Sequence, residues 1–233
     1  MKLALISDIH SNIEALTTAL KSIAKQKVDR IACLGDVVGY GANPSDCLKL
    51  VREHADWIIM GNHDAAAVGI ESLNFYNDYA RQAALWTRNI LTEEETEFLK
   101  TLPMEIDEAD LHFVHSTPRS PKSWNYIFSL YDVTFEFSAV KGHTCFVGHS
   151  HVPGDYHEKD AKLGNQGKDR RIINVGSVGQ PRDRDPRLCY AVFDSETREL
   201  QLVREEYDIK AAAHKIRKAG LPGFLAERLE HGW

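Results

Sequence analysis

Apolar runs of three to seven residues recur along the chain, at 2–7, 30–34, 57–60, 111–114, 145–147, 171–175 and 188–194, and each ends in a glycine or a polar cluster. Runs of that length, rich in Val, Ile, Leu and Phe, predict buried strands. Between the first two, Ile13, Leu16, Leu20 and Ile23 recur on one face of a helix, with Ser11 and Glu14 in the spacing of a capping box. The opening is therefore a strand, helix, strand unit. Further helices are predicted at 44–52, 74–89, 93–101 and 209–218, another at 221–229, and strands predominate after residue 143.

That order predicts an α/β fold: a first half built on parallel strands and a more antiparallel second half, the two sheets packed as a sandwich flanked by helices. A chain of 233 residues with 43% apolar composition fits one domain over 1–233, with 208–233 as a small helical appendage. The polar stretch 158–170 reads as an exposed hairpin loop, and 118–124 as an irregular segment flanking a site.

Charge narrows the chemistry. A net charge of −6 and a pI near 6.0 disfavour long nucleic acid as a partner, so an anionic substrate must be met locally, by a few cations or by metal. The apolar stretch 3–6 is cut short by Asp8 and His10, which fits neither a signal segment nor a membrane span, and a cytoplasmic location is expected. Cys33, Cys47, Cys145 and Cys189 form no Cys-x-x-Cys pair and are expected to be reduced and mostly buried, not ligands. Oligomeric state is not legible.

Five of the predicted strands are followed at once by groups that bind metal: Asp8 and His10; Asp36; Asn62, His63 and Asp64; His115; His149 and His151. In open α/β sheets, sites form beyond the carboxyl ends of strands, so residues distant in sequence can converge there. Gly35, Gly61 and Gly148 directly precede these groups, as sharp turns and close backbone approach require. Each element alone fits a turn or a surface histidine. Five together do not, because burying so many polar groups without partners is costly.

Asp8-Ile9-His10, Gly35-Asp36, Gly61-Asn62-His63-Asp64, His115 and Gly148-His149-Ser150-His151 reproduce in order the signature of the calcineurin-like metallophosphoesterases, which the chain resembles from residue 3 to about 182. The resemblance implies a two-sheet sandwich in which Asp8, His10, Asp36 and His151 hold one divalent ion. Asp36 would bridge to a second, held by Asn62, His115 and His149. Two such cations, about 3.5–4 Å apart, activate water as hydroxide and clamp the phosphoryl oxygens during in-line attack on phosphorus. His63 is similar to the family's catalytic histidine, acting on the leaving oxygen, with Asp64 orienting its ring. Mixed oxygen and imidazole ligands suit Mn, Fe, Zn, Co or Ni alike.

The segment from Asn174 to Arg182 resembles the family's loop that closes the site, its glycines letting backbone donors approach an anion and Arg182 offering a fork to phosphate. Asn12, in the first turn after Ser11, is a second candidate for substrate binding. Trp124 and Tyr126 are expected to anchor their loop, the alternative being a rim that stacks on an aryl group or nucleobase. The chain departs from the Ser/Thr protein phosphatases and the symmetrical dinucleoside tetraphosphatases, which carry Asp-Arg-Gly in the loop after the bridging aspartate and Glu after the catalytic His. Here that loop reads Val37-Val38-Gly39-Tyr40-Gly41, and Asp64 follows His63. Compact prokaryotic phosphoesterases acting on small monoesters, diesters or nucleotides are the nearer likeness. A non-catalytic scaffold on the same fold and a nuclease remain alternatives, opposed by the intact His63 and the acidic balance.

Overall fold

Alternate residues of the first strand face opposite ways, and both faces are covered. Leu3 and Leu5 join Phe113, Phe146, Ile173 and Phe193 in one buried cluster, while Ala4 and Ile6 join Leu16, Ala19, Leu48 and Val51 in another. A strand with two buried faces belongs to a sheet lying between a second sheet and a helical layer. The computed structural model, which describes residues 1–161 and 167–233, has that arrangement.

The elements in order are β1 (Lys2–Ile6), α1 (Ile13–Ile23), β2 (Arg30–Cys33), α2 (Pro44–His54), β3 (Trp57–Ile58), α3 (Asn62–Ala67), α4 (Asp78–Ile90), α5 (Glu93–Thr101), β4 (Glu105–Glu108), β5 (Leu111–Val114) and α6 (Leu130–Val133). Then follow β6 (Thr144–Val147), β7 (Gly154–His157), β8 (Arg171–Asn174), β9 (Leu188–Asp194), β10 (Leu200–Glu205), α7 (Ile209–Lys218) and α8 (Gly223–His231). Among the described residues, one sheet runs β10-β9-β1-β2-β3 and the other β4-β5-β6-β8-β7. Phe146 sits at the seam, its ring 5.6 Å from Phe113 and 5.0 Å from Phe193. Truncating such a side chain to alanine costs about 3–5 kcal/mol.

The second half is the more antiparallel, with β4, β7, β9 and β10 all pairing antiparallel, though β5, β6 and β8 are parallel neighbours as β1, β2 and β3 are. Several expectations are corrected. The cap of α1 is Asn12, whose side chain accepts from Ala15 N, while Ser11 has a left-handed backbone (φ 55°). Residues 74–77 precede α4, which starts on the capping Asn77. The stretch 158–170 is not an exposed hairpin at its base, where Glu158 and Arg170 are buried. The Arg170 Nε donates to Glu158 Oε2 at 3.0 Å and a terminal nitrogen donates to Oε1 at 2.9 Å. Losing either partner of such a buried pair costs about 3–5 kcal/mol, because the other charge is left in the interior. Residues 162–166 of that stretch lie outside the described residues.

The segment expected as an appendage is packed in. Ala212, Ala213 and Ile216 of α7 and Leu225, Ala226 and Leu229 of α8 share a buried cluster with Tyr40, Ala80 and Ala83. No described helix is long and apolar enough to cross a membrane. All four cysteines are free and buried.

Candidate metal centre

Because β1, β2 and β3 are parallel, and so are β5 and β6, the loops that leave them open at one end of the sandwich. Asp8 and His10 follow β1, Asp36 follows β2, Asn62 and His63 start α3 just past β3, His115 follows β5, and His149 and His151 follow β6. The turns are tight. Asp8 (φ 52°), His10 (49°), Asp36 (52°), His149 (65°) and His151 (59°) all adopt left-handed backbone, which disfavours residues with a Cβ by about 1–3 kcal/mol each when strained. Glycine is required beside them: a Cβ on Gly61 would overlap the Asp36 carboxylate, and one on Gly148 would overlap Ser7 and the Asp8 carboxylate.

Asp8, His10 and His151 bring their ligand atoms within 4.8 Å of one another, and so do Asp36, His115 and His149. All six are buried. Each aspartate has one oxygen fixed by a backbone amide: His149 N donates to Asp8 Oδ2 at 2.9 Å, and His63 N to Asp36 Oδ1 at 2.7 Å. The other oxygens, Asp8 Oδ1 and Asp36 Oδ2, are buried without a hydrogen bond among the described residues. They face imidazoles. Asp8 Oδ1 lies 3.2 Å from His151 Nε2, and Asp36 Oδ2 lies 3.6 Å from His10 Nε2 and 3.4 Å from His115 Nε2.

The far side of each ring sets its tautomer, since a carbonyl oxygen can only accept. Nδ1 of His10 meets the Val38 carbonyl at 3.2 Å, that of His115 the Leu34 carbonyl at 2.7 Å, and that of His151 the Gln180 carbonyl at 2.5 Å. His149 is turned over, its Nε2 donating to the Trp124 carbonyl at 2.8 Å. Rings so held can turn lone pairs inward. His10 Nε2 and His151 Nε2 face each other at 3.1 Å, and His115 Nε2 lies 3.3 Å from Asn62 Oδ1. Tyr76 fixes that amide, accepting from Asn62 Nδ2 at 2.8 Å and donating to the Asn62 carbonyl at 2.9 Å. Carboxylate oxygens, an amide oxygen and ring lone pairs make an interior composed of acceptors, which a cation fits and a neutral filler does not.

The electrostatics agree. Burial pushes the His10, His149 and His151 imidazoliums down, His149 to about 3, so these rings are neutral near pH 7. For His115, burial is outweighed by the Asp36 and Asp8 carboxylates, which hold it up at about 9. A proton there stands in for missing positive charge.

Three expectations about the surroundings are corrected. Asp64 does not orient the His63 ring: its Oδ1 accepts from Val38 N at 3.0 Å and its Oδ2 from Gly61 N at 3.1 Å, so it ties the two ligand loops together. Burial, reinforced by the Asp36 charge, lifts its carboxyl to about 7. Asn12 is committed internally, with Oδ1 capping α1 and Nδ2 donating to the Gly179 carbonyl at 2.8 Å. The loop before Arg182 closes on the site, yet Val178 N and Gly179 N are spent on the Ser7 and Asp8 carbonyls and do not face an anion. Arg182 itself faces inward, its guanidinium 5.7 Å from the Tyr40 ring centre and its Nε buried without a partner among the described residues.

Beside the ligands lies a cleft of about 390 Å³, lined by Asn62, His63, Phe75, Trp124, Tyr126 and His149 among others. Trp124 anchors its loop as expected, through Nε1 on Glu71 Oε2 at 2.8 Å, and also lines the cleft. Tyr126 stacks on His149, centroids 4.1 Å apart. Residues not foreseen are Tyr40, Phe75 and Tyr76: Tyr40 stands 4.3 Å from the His63 ring, and Phe75 is 93% exposed at the cleft mouth. The one signal for Tyr40 was its place four residues beyond the bridging candidate Asp36, in a glycine-flanked loop.

The sequence and the fold have counterparts among known proteins. Residues 1–198 match the family model of the calcineurin-like phosphoesterase superfamily domain. An uncharacterized protein of Methanocaldococcus jannaschii is 43% identical, over 97% of this chain and 96% of that protein. The crystal structure of a metallophosphoesterase from Sphaerobacter thermophilus is 39% identical with a TM-score of 0.89, covering 100% of this chain and 99% of that one. A hypothetical protein from Pyrococcus horikoshii, 22% identical, shares the fold with a TM-score of 0.85 over 100% of this chain and 98% of its own. With the ligand-type side chains gathered at the strand ends and a family match spanning most of its length, the chain belongs to the calcineurin-like phosphoesterase superfamily.

Proposed function

We propose that the chain hydrolyses small phosphomonoesters, phosphodiesters or nucleotides at a centre of two divalent cations. The observation that carries this reading is the buried, acceptor-only cage around Asp8 Oδ1 and Asp36 Oδ2, which is short of positive charge. In this reading Asp8, His10, Asp36 and His151 hold one ion, and Asp36, Asn62, His115 and His149 hold the other. When bound, the pair supplies Lewis acidity that activates water and neutralises phosphoryl oxygens. Mn, Fe, Zn, Co and Ni all suit this donor set.

The chain's own groups do the rest. Carbonyls of Val38, Leu34, Trp124 and Gln180 fix the ring tautomers so that lone pairs point inward. His63, buried beside the cleft, donates a hydrogen bond to the leaving oxygen. Arg182 grips a phosphoryl oxygen. The aromatic wall of Phe75, Trp124 and Tyr126 receives a planar leaving group. We take the whole of 1–233 as one working domain, with 208–233 part of its core, acting in the cytoplasm, where four free thiols stay reduced.

A panel of bis(4-nitrophenyl) phosphate, 4-nitrophenyl phosphate and nucleotides, each with added manganese, tests the reading. Turnover of at least one substrate is expected, abolished by a chelator and restored by metal. Metal binding with no turnover of any ester would leave the scaffold reading in its place.

A further inference from the structure

Two arginines meet over one ring at the edge of the centre. The Arg182 and Arg228 guanidinium carbons lie 5.7 and 5.9 Å from the centre of the Tyr40 ring. That ring is 4.3 Å from His63 and 4.7 Å from His10, centre to centre. Arg182 comes from the closing loop and Arg228 from α8, so the pair is assembled from segments that share nothing in sequence. Arg228 also lies beyond residues 1–198, the span of the family match.

Several buried or half-buried arginines of the chain close on an acidic side chain, and this pair does not. Arg170, Arg171, Arg187 and Arg204 each close on a carboxylate. Among the described residues neither Arg182 nor Arg228 closes on an acidic side chain. Arg182 donates one bond to Gln180 Oε1 at 2.9 Å, and Arg228 one from Nε to the Trp233 carbonyl, which leaves its two terminal nitrogens unspent. Burial, then the Arg182 charge, pulls the Arg228 guanidinium down to about 10. Tyr40 and Phe224 hold Arg228 in place from their ring faces.

We propose that Arg228 and Arg182 form a two-guanidinium seat for the doubly charged terminal phosphate of a monoester, making the chain a phosphomonoesterase by preference. The proposal rests on the phosphoesterase reading and sharpens it. A diester carries one negative charge and covers two of its phosphoryl oxygens with leaving groups. A monoester dianion offers three free oxygens, enough to engage both metal positions and a guanidinium fork.

The test compares manganese-loaded full-length protein with its Arg228→Ala and Arg228→Lys variants at pH 8, where an aryl phosphate is dianionic, its second pKa being about 6. Arg228→Ala is expected to raise KM for 4-nitrophenyl phosphate about 10- to 100-fold and to move KM for bis(4-nitrophenyl) phosphate by no more than about threefold. Arg228→Lys should fall between, since it keeps charge and loses the fork. Calorimetric binding of inorganic phosphate, which needs no turnover, should weaken about 10-fold or more in Arg228→Ala. Equal KM changes for the two esters, or unaltered phosphate binding in both variants, would overturn the proposal. If the wild type hydrolyses neither ester, the functional reading fails by itself, and the phosphate titration alone decides the role of Arg228.

Discussion

Asp36→Asn is expected to lower kcat/KM on any ester the chain hydrolyses by about three orders of magnitude or more, equivalent to at least ~4 kcal/mol of transition-state stabilisation. The reason is position. Asp36 Oδ2 lies within 3.6 Å of His10 Nε2 and 3.4 Å of His115 Nε2, so it borders both groups of ligand-type side chains. Its other oxygen receives the backbone N–H of His63, which sets the first turn of α3. Asparagine keeps the shape and leaves an acceptor for that N–H while removing the charge shared between the two ion positions. Replacing His149, which borders one group only, should spare the other half. Turnover of Asp36→Asn within tenfold of wild type, at saturating manganese, would remove Asp36 from the bridging role.

His63→Ala is expected to cost about 10²- to 10⁴-fold in kcat while the bound metal content stays at the wild-type value. No candidate ligand is lost, because His63 belongs to neither of the two groups that could hold an ion. Its pH behaviour separates two ways of acting. Burial brings the His63 imidazolium down to about 4 against the pull of Asp36, so the ring is neutral throughout the neutral range. Nearby cations push in the same direction. On the proposed function, a neutral ring would serve as a hydrogen-bond donor to the leaving oxygen and not as an imidazolium acid. The ratio of wild-type to variant rates should therefore be flat between pH 6 and about 9. A wild-type limb near pH 6.5 that vanishes in the variant would show that the protonated ring is the working form.

Much of this centre was legible in the chain because metal chemistry demands particular residue types at strand ends, and parallel strands deliver those ends to one place. Asp8, His10, Asp36, Asn62, His115, His149 and His151 could be picked out that way. What escaped is set by tertiary contact. Ser11 and Asn12 are equally good cap residues on paper, and the left-handed backbone at Ser11 is what passes the role to Asn12. Asp64 beside His63 suggests a dyad, but α3 points its carboxylate back at Val38 N and Gly61 N. Tyr76 and Arg228 reach the site from α4's approach and from α8, with no spacing to the motifs that could reveal them. The strands β4 and β7 were missed for another reason. Glu105-Ile-Asp-Glu and Gly154-Asp-Tyr-His are edge strands, where charge on the exposed side blunts further pairing and erases the apolar signal.

The most direct test is the number of divalent ions that the full-length protein holds, counted by elemental analysis after equilibrium dialysis against manganese and repeated on Asp36→Asn. Two ions per wild-type chain, with affinity falling at both positions in the variant, is the expected result. A wild-type chain that binds none, or a single ion indifferent to Asp36, would contradict the inward-facing lone pairs as a cage for two cations.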